Sequence, residues 1–261
     1  MTSPNIETTH AFTTRIGGVS QGIYASLNLG LNLTDDLARV KENYKLVCGA
    51  LGIAEDDVVY SSQIHGATVR VVTRGDRGGL YEGAAPETDA LITRDNGVAL
   101  IVFVCDCVPI LLHDPVRSVI GAVHAGWRGT AADIAGVTVR RMSDEFGCFP
   151  ADIRAAIGPS ISGCCYETDR DVADAMQTLP LEKADTFISA KGEKYMVDLK
   201  EANRLLLSMA GIRDIMVSDE CTSCSSEKYW SHRRTRGNRG SQAAIIAITA
   251  GGRMPPLHTD N

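Results

Sequence analysis

The sequence predicts an α/β protein with a mixed, multi-stranded sheet in a single domain. Short runs rich in Val and Ile alternate with longer segments whose apolar residues recur at the spacing of one helical face. The chain of 261 residues, 44% of them hydrophobic, is long enough to bury a sizeable core. Because no linker, internal repeat or low-complexity tract interrupts it, residues 1–261 are interpreted as one domain with a loose tail over residues 251–261.

Strands are predicted from short apolar runs bounded by turn residues. The two clearest are Val98–Val104 and Val119–Val123, which are too short and too rich in Val and Ile for free-standing helices. Further strands are predicted near the start of the segment 10–30 and over Val58–Gln63, Thr68–Thr73, Thr88–Ile92, Ile153–Ile157, Met196–Val197 and Ala243–Thr249.

Helices are predicted where apolar spacing and end signals agree. The segment Asp36–Leu51 has apolar residues on one face, Asp35 or Asp36 as N-cap, and Gly52 as a stop. The other predicted helices are Ala131–Phe146, a stretch after Glu167 that ends near Leu179, and a helix that Asp198 and Glu201 open at capping-box spacing and that ends at Gly211.

Composition and charge narrow the function classes. The formal net charge of -6 argues against a surface that coats nucleic acid and favours small-molecule chemistry. The N-terminal residues lack a basic start followed by an apolar core, and no stretch is apolar for long enough to span a bilayer. We therefore expect a cytoplasmic protein without nucleic-acid or membrane partners, with a monomer as the default state. The 8 cysteines should then remain reduced thiols.

The ends of the predicted strands carry side chains that bind metals. Cys105 and Cys107 follow the first of the two clearest strands, and His124 follows the second. His65 lies in a turn at another predicted strand end. The ends of buried strands hold side chains rigidly, and a His2Cys set with one open position is typical of catalytic zinc. Alternatively, Cys107 is a buried small hydrophobe and the histidines form local hydrogen bonds.

Glycines flank the second of these strand ends. Gly126 and Gly129 would permit a close approach of the backbone beside Trp127 and Arg128. Thr130 is expected to cap the helix that follows. The stretch from residue 97 to residue 129 is therefore the first candidate for an active centre.

Two basic segments could hold an anion or remain ordinary surface. A loop rich in Gly, Ser and Asn contains Arg15 and Asn28, so it could present a cation and backbone N–H groups to an anion. The basic run from His232 to Arg239 could clamp a phosphate or a carboxylate, or could be a solvated face.

The pair Cys221 and Cys224 has the spacing of half a zinc ribbon or of a redox pair. No second CxxC motif accompanies it, and no thioredoxin-like helix follows it. Packed free thiols are therefore expected.

Several motifs, taken in order along the chain, resemble one known family. They are Gln63-Ile64-His65-Gly66, Thr88-Asp89-Ala90-Leu91, Cys105-Asp106-Cys107-Val108-Pro109, His124-Ala125-Gly126-Trp127-Arg128-Gly129, Ile157-Gly158-Pro159 with Tyr166-Glu167, and Cys221-Thr222 with Ser231-His232-Arg233-Arg234. Together they resemble the YfiH/LACC-type laccase-domain family, also called multicopper polyphenol oxidase-like and described as purine nucleoside phosphorylases. The resemblance spans nearly the whole chain, and HAGWRG is its most specific motif.

The resemblance implies an α/β sandwich likened to cysteine hydrolases of the cytotoxic-necrotizing-factor type. It implies a zinc site made by His65, Cys107 and His124, in agreement with the candidates at the strand ends. It further implies phosphorolysis of adenosine, inosine and methylthioadenosine, and deamination of adenosine. Copper-dependent oxidation of phenols is also described for the family, and copper could occupy the same ligands because it out-competes zinc for N and S donors.

Deamination would need an acid and a base beside the metal. A zinc-activated water would attack C6 of the purine while Asp106 or Glu167 moves protons. Cys107 belongs to the expected catalytic set as the thiolate ligand.

Phosphorolysis would need cations for the attacking phosphate. Arg15, Arg128 and Arg233 are expected to hold phosphate as it attacks C1′ of the ribose. Asn28 and Tyr166 are expected to contact the substrate.

Two alternatives belong to other function classes. Cys107 could act as a nucleophile with His124 and Asp106 in a metal-free amidase, in line with a branch of the family described as editing peptidoglycan precursors. The protein could also bind metal without catalysis. The sequence departs from the family pattern at Cys105, where a small or hydroxyl residue is usual, and at His232, where an aromatic is usual. The first adds a competing thiol, and the second puts a stacking role at this position in doubt.

Overall fold

The computed structural model describes residues 1–31, 34–79, 84–182 and 184–249. The strands are β1 Thr9–Phe12, β2 Val58–Ser61, β3 Val69–Val71, β4 Ala84–Ala85, β5 Ala90–Thr93, β6 Ala99–Val104, β7 Val108–Asp114, β8 Val119–Ala125, β9 Arg154–Ile157, β10 Glu167–Thr168, β11 Ile188–Lys191, β12 Lys194–Val197, β13 Asp214–Val217 and β14 Gln242–Ala247. The helices are α1 Leu37–Leu51, α2 Trp127–Ala131, α3 Ile134–Phe146, α4 Arg170–Gln177, α5 Leu199–Met209 and α6 His232–Thr235. The tail predicted over residues 251–261 lies outside the described residues.

The strands form three sheets. A six-stranded sheet has the order β13-β9-β7-β8-β5-β3, and a five-stranded sheet has the order β1-β14-β6-β2-β4. Both mix parallel and antiparallel neighbours: β5 and β7 run antiparallel to β8, whereas β3 runs parallel to β5. A third sheet has three strands in the order β10-β12-β11. The prediction of a mixed sheet is confirmed.

The two large sheets pack face to face around a shared apolar layer. Leu100 and Val102 of β6 belong to one fully buried cluster with Leu111 of β7 and Ile120 of β8. A second cluster joins α1 to the outer face of the five-stranded sheet, and a third joins α3 and α5 to the outer face of the six-stranded sheet. The chain is therefore a sandwich with the layer order α, β, β, α. Within the described ranges, no helix is long and apolar enough to cross a membrane.

The first long helix follows its sequence signals closely. Asp36 is the N-cap of α1, and its carboxylate accepts a hydrogen bond from the backbone N–H of Ala38. Gly52 ends the helix with a left-handed backbone at φ 65°, a conformation that glycine adopts without strain. The predicted bounds of this helix are confirmed to within one residue.

The helix predicted over Ala131–Phe146 is observed as α3, which begins three residues later, and the short helix α2 precedes it. Asp133 stands between them with φ 54°, and its carboxylate caps the backbone N–H of Gly136. The expectation that Thr130 caps this helix is wrong. Thr130 lies inside α2, and its hydroxyl accepts a hydrogen bond of 2.9 Å from the amide of Asn203 in α5.

Strand β7 lies in the middle of the six-stranded sheet, yet the sequence patterns did not predict it. Pro109 is its second residue and pairs with His124 of β8. Proline usually marks the end of a strand because it has no N–H to donate. Here Pro109 stands near the strand's beginning, and its carbonyl accepts from the backbone N–H of Gly158 at 2.9 Å.

Candidate metal centre

Three strand ends bring the metal-binding side chains together. Cys107 lies in the turn between β6 and β7, His124 lies near the end of β8, and His65 lies in the loop after β2. One donor atom from each lies within 4.8 Å of the other two. His124 is buried, Cys107 is half-buried and His65 is exposed, so the cluster opens to solvent on one side. The structure thus brings together the three side chains that the resemblance implies as metal ligands.

The loop that carries His65 is folded around a carboxylate. Asp89, at the start of β5, accepts hydrogen bonds from the backbone N–H groups of Ile64 at 3.3 Å, His65 at 3.0 Å and Gly66 at 2.7 Å. His65 has φ 60°, a left-handed conformation that is strained for a residue with a side chain. The three N–H groups form an anion-binding nest that holds this strained turn in place.

Asp89 also orients the second histidine. Nδ1 of His124 donates a hydrogen bond of 2.8 Å to Oδ1 of Asp89. This bond leaves Nε2 as the nitrogen of His124 that could bind a metal, as in metal sites where a carboxylate fixes the histidine tautomer. Burial raises the pKa of Asp89, but hydrogen bonds from His124 and Gly66 outweigh it and leave the pKa below its ordinary value.

Cys107 and His124 favour their charged forms. Burial opposes ionisation of the Cys107 thiol, but His124 and His65 beside it lower its pKa to about 6. Burial likewise opposes protonation of His124, but Cys107 and Asp89 raise its pKa to about 9. The thiol is therefore poised as a thiolate, the form that binds metals and attacks electrophiles.

Two glycines make room for the cluster. A Cβ atom on Gly126 would lie 2.8 Å from Nδ1 of His65 and 3.4 Å from Sγ of Cys107. A Cβ atom on Gly129 would lie 2.8 Å from the carbonyl oxygen of Gly66. The close approach predicted for these glycines is confirmed.

The cluster lies between two cavities. The larger has a volume of about 470 Å³ and is lined in part by Tyr60, Phe103 and Arg239. The smaller has a volume of about 140 Å³ and is lined in part by Arg128. The side chains of His65 and Cys107 border both cavities. A ligand in either space would therefore lie against the metal-binding atoms.

Asp106 lines the smaller cavity but is already engaged. Its carboxylate accepts a hydrogen bond of 2.6 Å from the hydroxyl of Thr222 and one of 2.7 Å from the backbone N–H of Arg233. The backbone of Asp106 has φ 79°, which places it among the strained residues of the turn. In the alternative metal-free amidase Asp106 would act with Cys107 and His124, but the carboxylate that contacts His124 is that of Asp89.

Of the other residues expected around the substrate, two line the smaller cavity and two do not. Arg128 and Tyr166 line the smaller cavity. The guanidinium of Arg233 lies 5.3 Å from the ring centre of Tyr166 and donates to the carbonyl of Glu167 at 2.7 Å. The carboxylate of Glu167 instead pairs with Lys191 at 2.8 Å on the surface. Glu167 lines neither cavity, so its placement does not match the expected proton transfer.

Arg15 and Asn28 contact neighbouring groups of the protein, and their expected contact with substrate stays a prediction. Arg15 stacks at 3.9 Å on the ring of Trp230 and donates to the carbonyl of Ser226 at 2.8 Å. Asn28 is fully buried, and its side-chain oxygen accepts from the backbone N–H of Ser241 at 2.9 Å. Neither residue is among those that line the two cavities, although Ser241 lines the larger one.

Three residues at the site, Asp89, Tyr60 and Phe103, had no role assigned from the sequence, whereas Cys105 was considered as a competing thiol. Asp89 belongs to the motif Thr88-Asp89-Ala90-Leu91, but only the fold shows that it orients His124. Tyr60 and Phe103 face the larger cavity with ring centres 5.7 Å apart. Cys105 lines the same cavity, and burial raises the pKa of its thiol to about 12. The three-residue donor cluster does not include Cys105.

The sandwich and the His2Cys donor set define an α/β protein with a candidate metal centre between two cavities. A family model described as multi-copper polyphenol oxidoreductase laccase matches residues 9–249. The chain therefore belongs to this laccase-like family, and the resemblance found in the motifs is confirmed.

Relatives with known names cover most of the chain. The purine nucleoside phosphorylase YlmD of Geobacillus stearothermophilus is 42% identical over 240 residues, which cover 90% of this chain and 88% of that protein. A purine nucleoside phosphorylase of Deinococcus radiodurans is 41% identical over 246 residues, which cover 94% of this chain and 91% of that protein.

Solved structures show the same fold. The crystal structure of the hypothetical protein YfiH of Bacillus licheniformis is similar with a TM-score of 0.89 and 41% identity, over 92% of each chain. The crystal structure of YlmD from Geobacillus stearothermophilus has a TM-score of 0.88 and 38% identity, over 95% of this chain and 94% of that chain. The expected YfiH-type sandwich is confirmed.

Proposed function

We propose that the protein is a zinc-dependent purine nucleoside phosphorylase that cleaves adenosine, inosine and methylthioadenosine. The observation that carries the proposal is the position of the donor set His65, Cys107 and His124 between a large and a small cavity. The names of the relatives in Geobacillus stearothermophilus and Deinococcus radiodurans support the same activity.

The donor set suits a zinc ion. Two imidazole nitrogens and one thiolate are ligands that zinc accepts in three-ligand catalytic sites. The carboxylate of Asp89 fixes His124, and the bare Cα of Gly126 leaves space beside His65. When bound, zinc supplies Lewis-acid activation of an oxygen atom at its open position.

The cavities suit the two substrates of phosphorolysis. A volume of about 470 Å³ falls in the range of small-molecule sites, so the larger cavity would hold the nucleoside. Tyr60 and Phe103 would contact the base, and Arg239 would lie at the same wall. The smaller cavity, of about 140 Å³, would hold phosphate against the guanidinium of Arg128.

Hydrogen bonds and ring contacts hold the side chains around the smaller cavity in position. Asp106 anchors the backbone of Arg233, whose guanidinium lies over the ring of Tyr166. Arg233 therefore positions Tyr166 against the cavity rather than holding phosphate alone. Phosphate held by Arg128 attacks C1′ of the ribose, and the purine leaves after protonation.

Deamination of adenosine is the second activity that we assign to the site. Among the two acids expected to move protons, only Asp106 lines a cavity with Cys107. In this reaction the purine would lie with C6 against the cluster, and Asp106, held by Thr222 and Arg233, would carry a proton between the attacking oxygen and the amino group at C6.

Chromatography of nucleoside products tests this proposal. Protein purified without added metal is analysed for its elements and incubated with adenosine, with and without phosphate. Adenine that forms only with phosphate, together with ribose 1-phosphate, supports phosphorolysis, and inosine that forms without phosphate supports deamination. Bound zinc with unchanged nucleosides would contradict both activities. Bound copper with oxidation of phenols would instead support the polyphenol oxidase activity named by the family.

A cysteine hydrolase is the second candidate. Cys107 contacts His124 and His124 contacts Asp89, so the three could serve as nucleophile, base and orienting acid. Alkylation of thiols distinguishes it from the metal enzyme. Bound zinc should protect Cys107 and preserve nucleoside cleavage. A metal-free protein that hydrolyses an amide substrate and loses this activity on alkylation would support the hydrolase.

A further inference from the structure

Four cysteines outside the candidate catalytic centre meet at the surface. Cys164 and Cys165 follow the turn after β9, and Cys221 and Cys224 lie in the segment after β13. Their four sulfur atoms all lie within 4.8 Å of one another. The expectation of packed free thiols for Cys221 and Cys224 did not foresee this pairing, because the two halves of the cluster are far apart in the sequence.

Three of the distances between the sulfur atoms are close to those of a tetrahedral ligand set, and Cys221 lies within 4.8 Å of the other three. Cys164 lies 3.7 Å from Cys165 and 3.7 Å from Cys224, and Cys165 lies 3.4 Å from Cys224. Zinc–sulfur bonds of about 2.3 Å at tetrahedral angles place neighbouring sulfur atoms roughly 3.8 Å apart. A small contraction or expansion of the cluster therefore accommodates one ion at its centre.

Backbone donors and a buried cation lie beside Cys221, the buried member of the cluster. The backbone N–H of Ser162 donates to Sγ of Cys221 at 3.4 Å. The ammonium group of Lys200 is buried close by, where it donates to the carbonyls of Ser218 at 2.8 Å and Glu220 at 3.1 Å. Lys200 interacts electrostatically with Cys221 and Cys164. A cation and backbone donors would offset the net negative charge of four thiolates around a divalent ion.

We propose that Cys164, Cys165, Cys221 and Cys224 bind a second zinc ion with a structural role. Four sulfur ligands fill a tetrahedral ion and leave no open position for a substrate, which is the pattern of structural rather than catalytic zinc. The described residues thus provide two separate zinc sites, one with three protein ligands and one with four.

The second ion would join the two segments that support the smaller cavity. Ser160 and Cys221 form a β-bridge, and the hydroxyl of Thr222 holds the carboxylate of Asp106. Tyr166, which lines that cavity, follows Cys165 directly. The ion would therefore fix the relative positions of Asp106 and Tyr166 without touching a substrate.

Metal content of matched variants tests the proposal. The wild-type protein is expected to bind about two zinc ions per chain, because each ligand set of three or four residues holds one. Cys224→Ser and Cys164→Ser should each lose one ion, and Cys107→Ser should lose the other. Cys48→Ser removes a buried thiol of α1 that belongs to neither cluster, and it should keep both ions. The variants report the zinc ion of each site separately. The second site can therefore be tested even if the proposed catalytic site binds no zinc.

Wild-type protein provides a second measurement that does not depend on folding of a variant. A mercurial thiol reagent should release zinc from the exposed cluster in step with the modification of four thiols, detected with a zinc-sensitive dye. Cobalt in place of zinc should give the charge-transfer absorption of a cobalt tetrathiolate, and Cys224→Ser should remove it. A wild-type protein whose cluster thiols are free or oxidised to disulfides, or whose cluster binds iron, would overturn the proposal.

Discussion

Replacing Asp89 with asparagine tests how the loop around His65 and the ring of His124 are held. Asp89 accepts hydrogen bonds from three backbone N–H groups, the shortest from Gly66 at 2.7 Å, and one from Nδ1 of His124 at 2.8 Å. Asparagine keeps one acceptor oxygen and introduces an NH2 group that faces donors. If the NH2 group faces His124, Nδ1 must accept and the ring proton moves to Nε2, which blocks metal binding.

The expected effect is a loss of about 10- to 100-fold in zinc affinity, since changes to groups that orient metal ligands have this size. In free energy this is about 1.4–2.8 kcal/mol. The affinity is measured by competition with a chelating dye, and nucleoside cleavage is measured at several zinc concentrations. Activity of Asp89→Asn should return in part at high zinc.

The matched control is Asp144→Asn, which removes an exposed charge on α3. It should bind zinc as tightly as the wild-type protein does. If Asp89→Asn also binds zinc with wild-type affinity and cleaves nucleosides at the wild-type rate, the role assigned to Asp89 is refuted.

Three further predictions concern other parts of the site, and the first has a control substitution in α1. Gly126→Ala should weaken zinc binding by about 10-fold or more, because its Cβ would lie 2.8 Å from Nδ1 of His65. Gly49→Ala, where a Cβ meets nothing within 4 Å in α1, should instead raise the free energy of unfolding by about 0.5–1 kcal/mol in a denaturant titration. Arg128→Ala should raise the KM for phosphate by about 10- to 100-fold, as expected for loss of a charge-assisted contact, with a smaller effect on the KM for adenosine. In metal-free protein, alkylation of Cys107 should stay fast at pH 7 and slow as pH falls below about 6, because its folded-state pKa is lowered to that value. Rates that instead rise only near pH 9 would contradict the lowered pKa.

The shifted pKa values of Cys107 and His124 make the stability of the metal-free fold depend on pH in opposite directions. The lowered pKa of Cys107, about 6, stabilises the metal-free fold above the ordinary thiol pKa, and this contribution is lost as pH falls towards 6. The raised pKa of His124, about 9, stabilises the fold below the ordinary histidine pKa, and this contribution is lost as pH rises through 9. Chemical unfolding of metal-free protein across this range measures both limbs.

The sequence predicted those elements whose caps, apolar face and end signals all lie within one short segment of the chain. Helix α1 has its cap, apolar face and glycine stop within one short segment, so its bounds followed directly. Strand β7 was not predicted, because Pro109 interrupts the pattern of a strand. The segment is extended because it pairs with β8 and β9. The packing of one large sheet on the other also depends on contacts between distant segments.

The candidate site shows the same division. The donors His65, Cys107 and His124 were found because each follows a strand and because the motifs resemble a family. The role of Asp89 requires the pairing of β5 with β8, which places its carboxylate beside His124. Arg15 was expected at the substrate because arginines bind phosphate, but its stacking on a tryptophan could be seen only in the folded chain.

The most direct test of the proposed function is removal and return of zinc during phosphate-dependent cleavage of adenosine. The protein is treated with a chelator, freed of it, and assayed for adenine before and after one addition of zinc, with Cys107→Ser and Cys48→Ser as matched variants. We expect activity to disappear with the metal and to return in wild-type and Cys48→Ser protein but not in Cys107→Ser. Full phosphorolysis by metal-free protein, or by Cys107→Ser, would contradict a catalytic role for the centre formed by His65, Cys107 and His124.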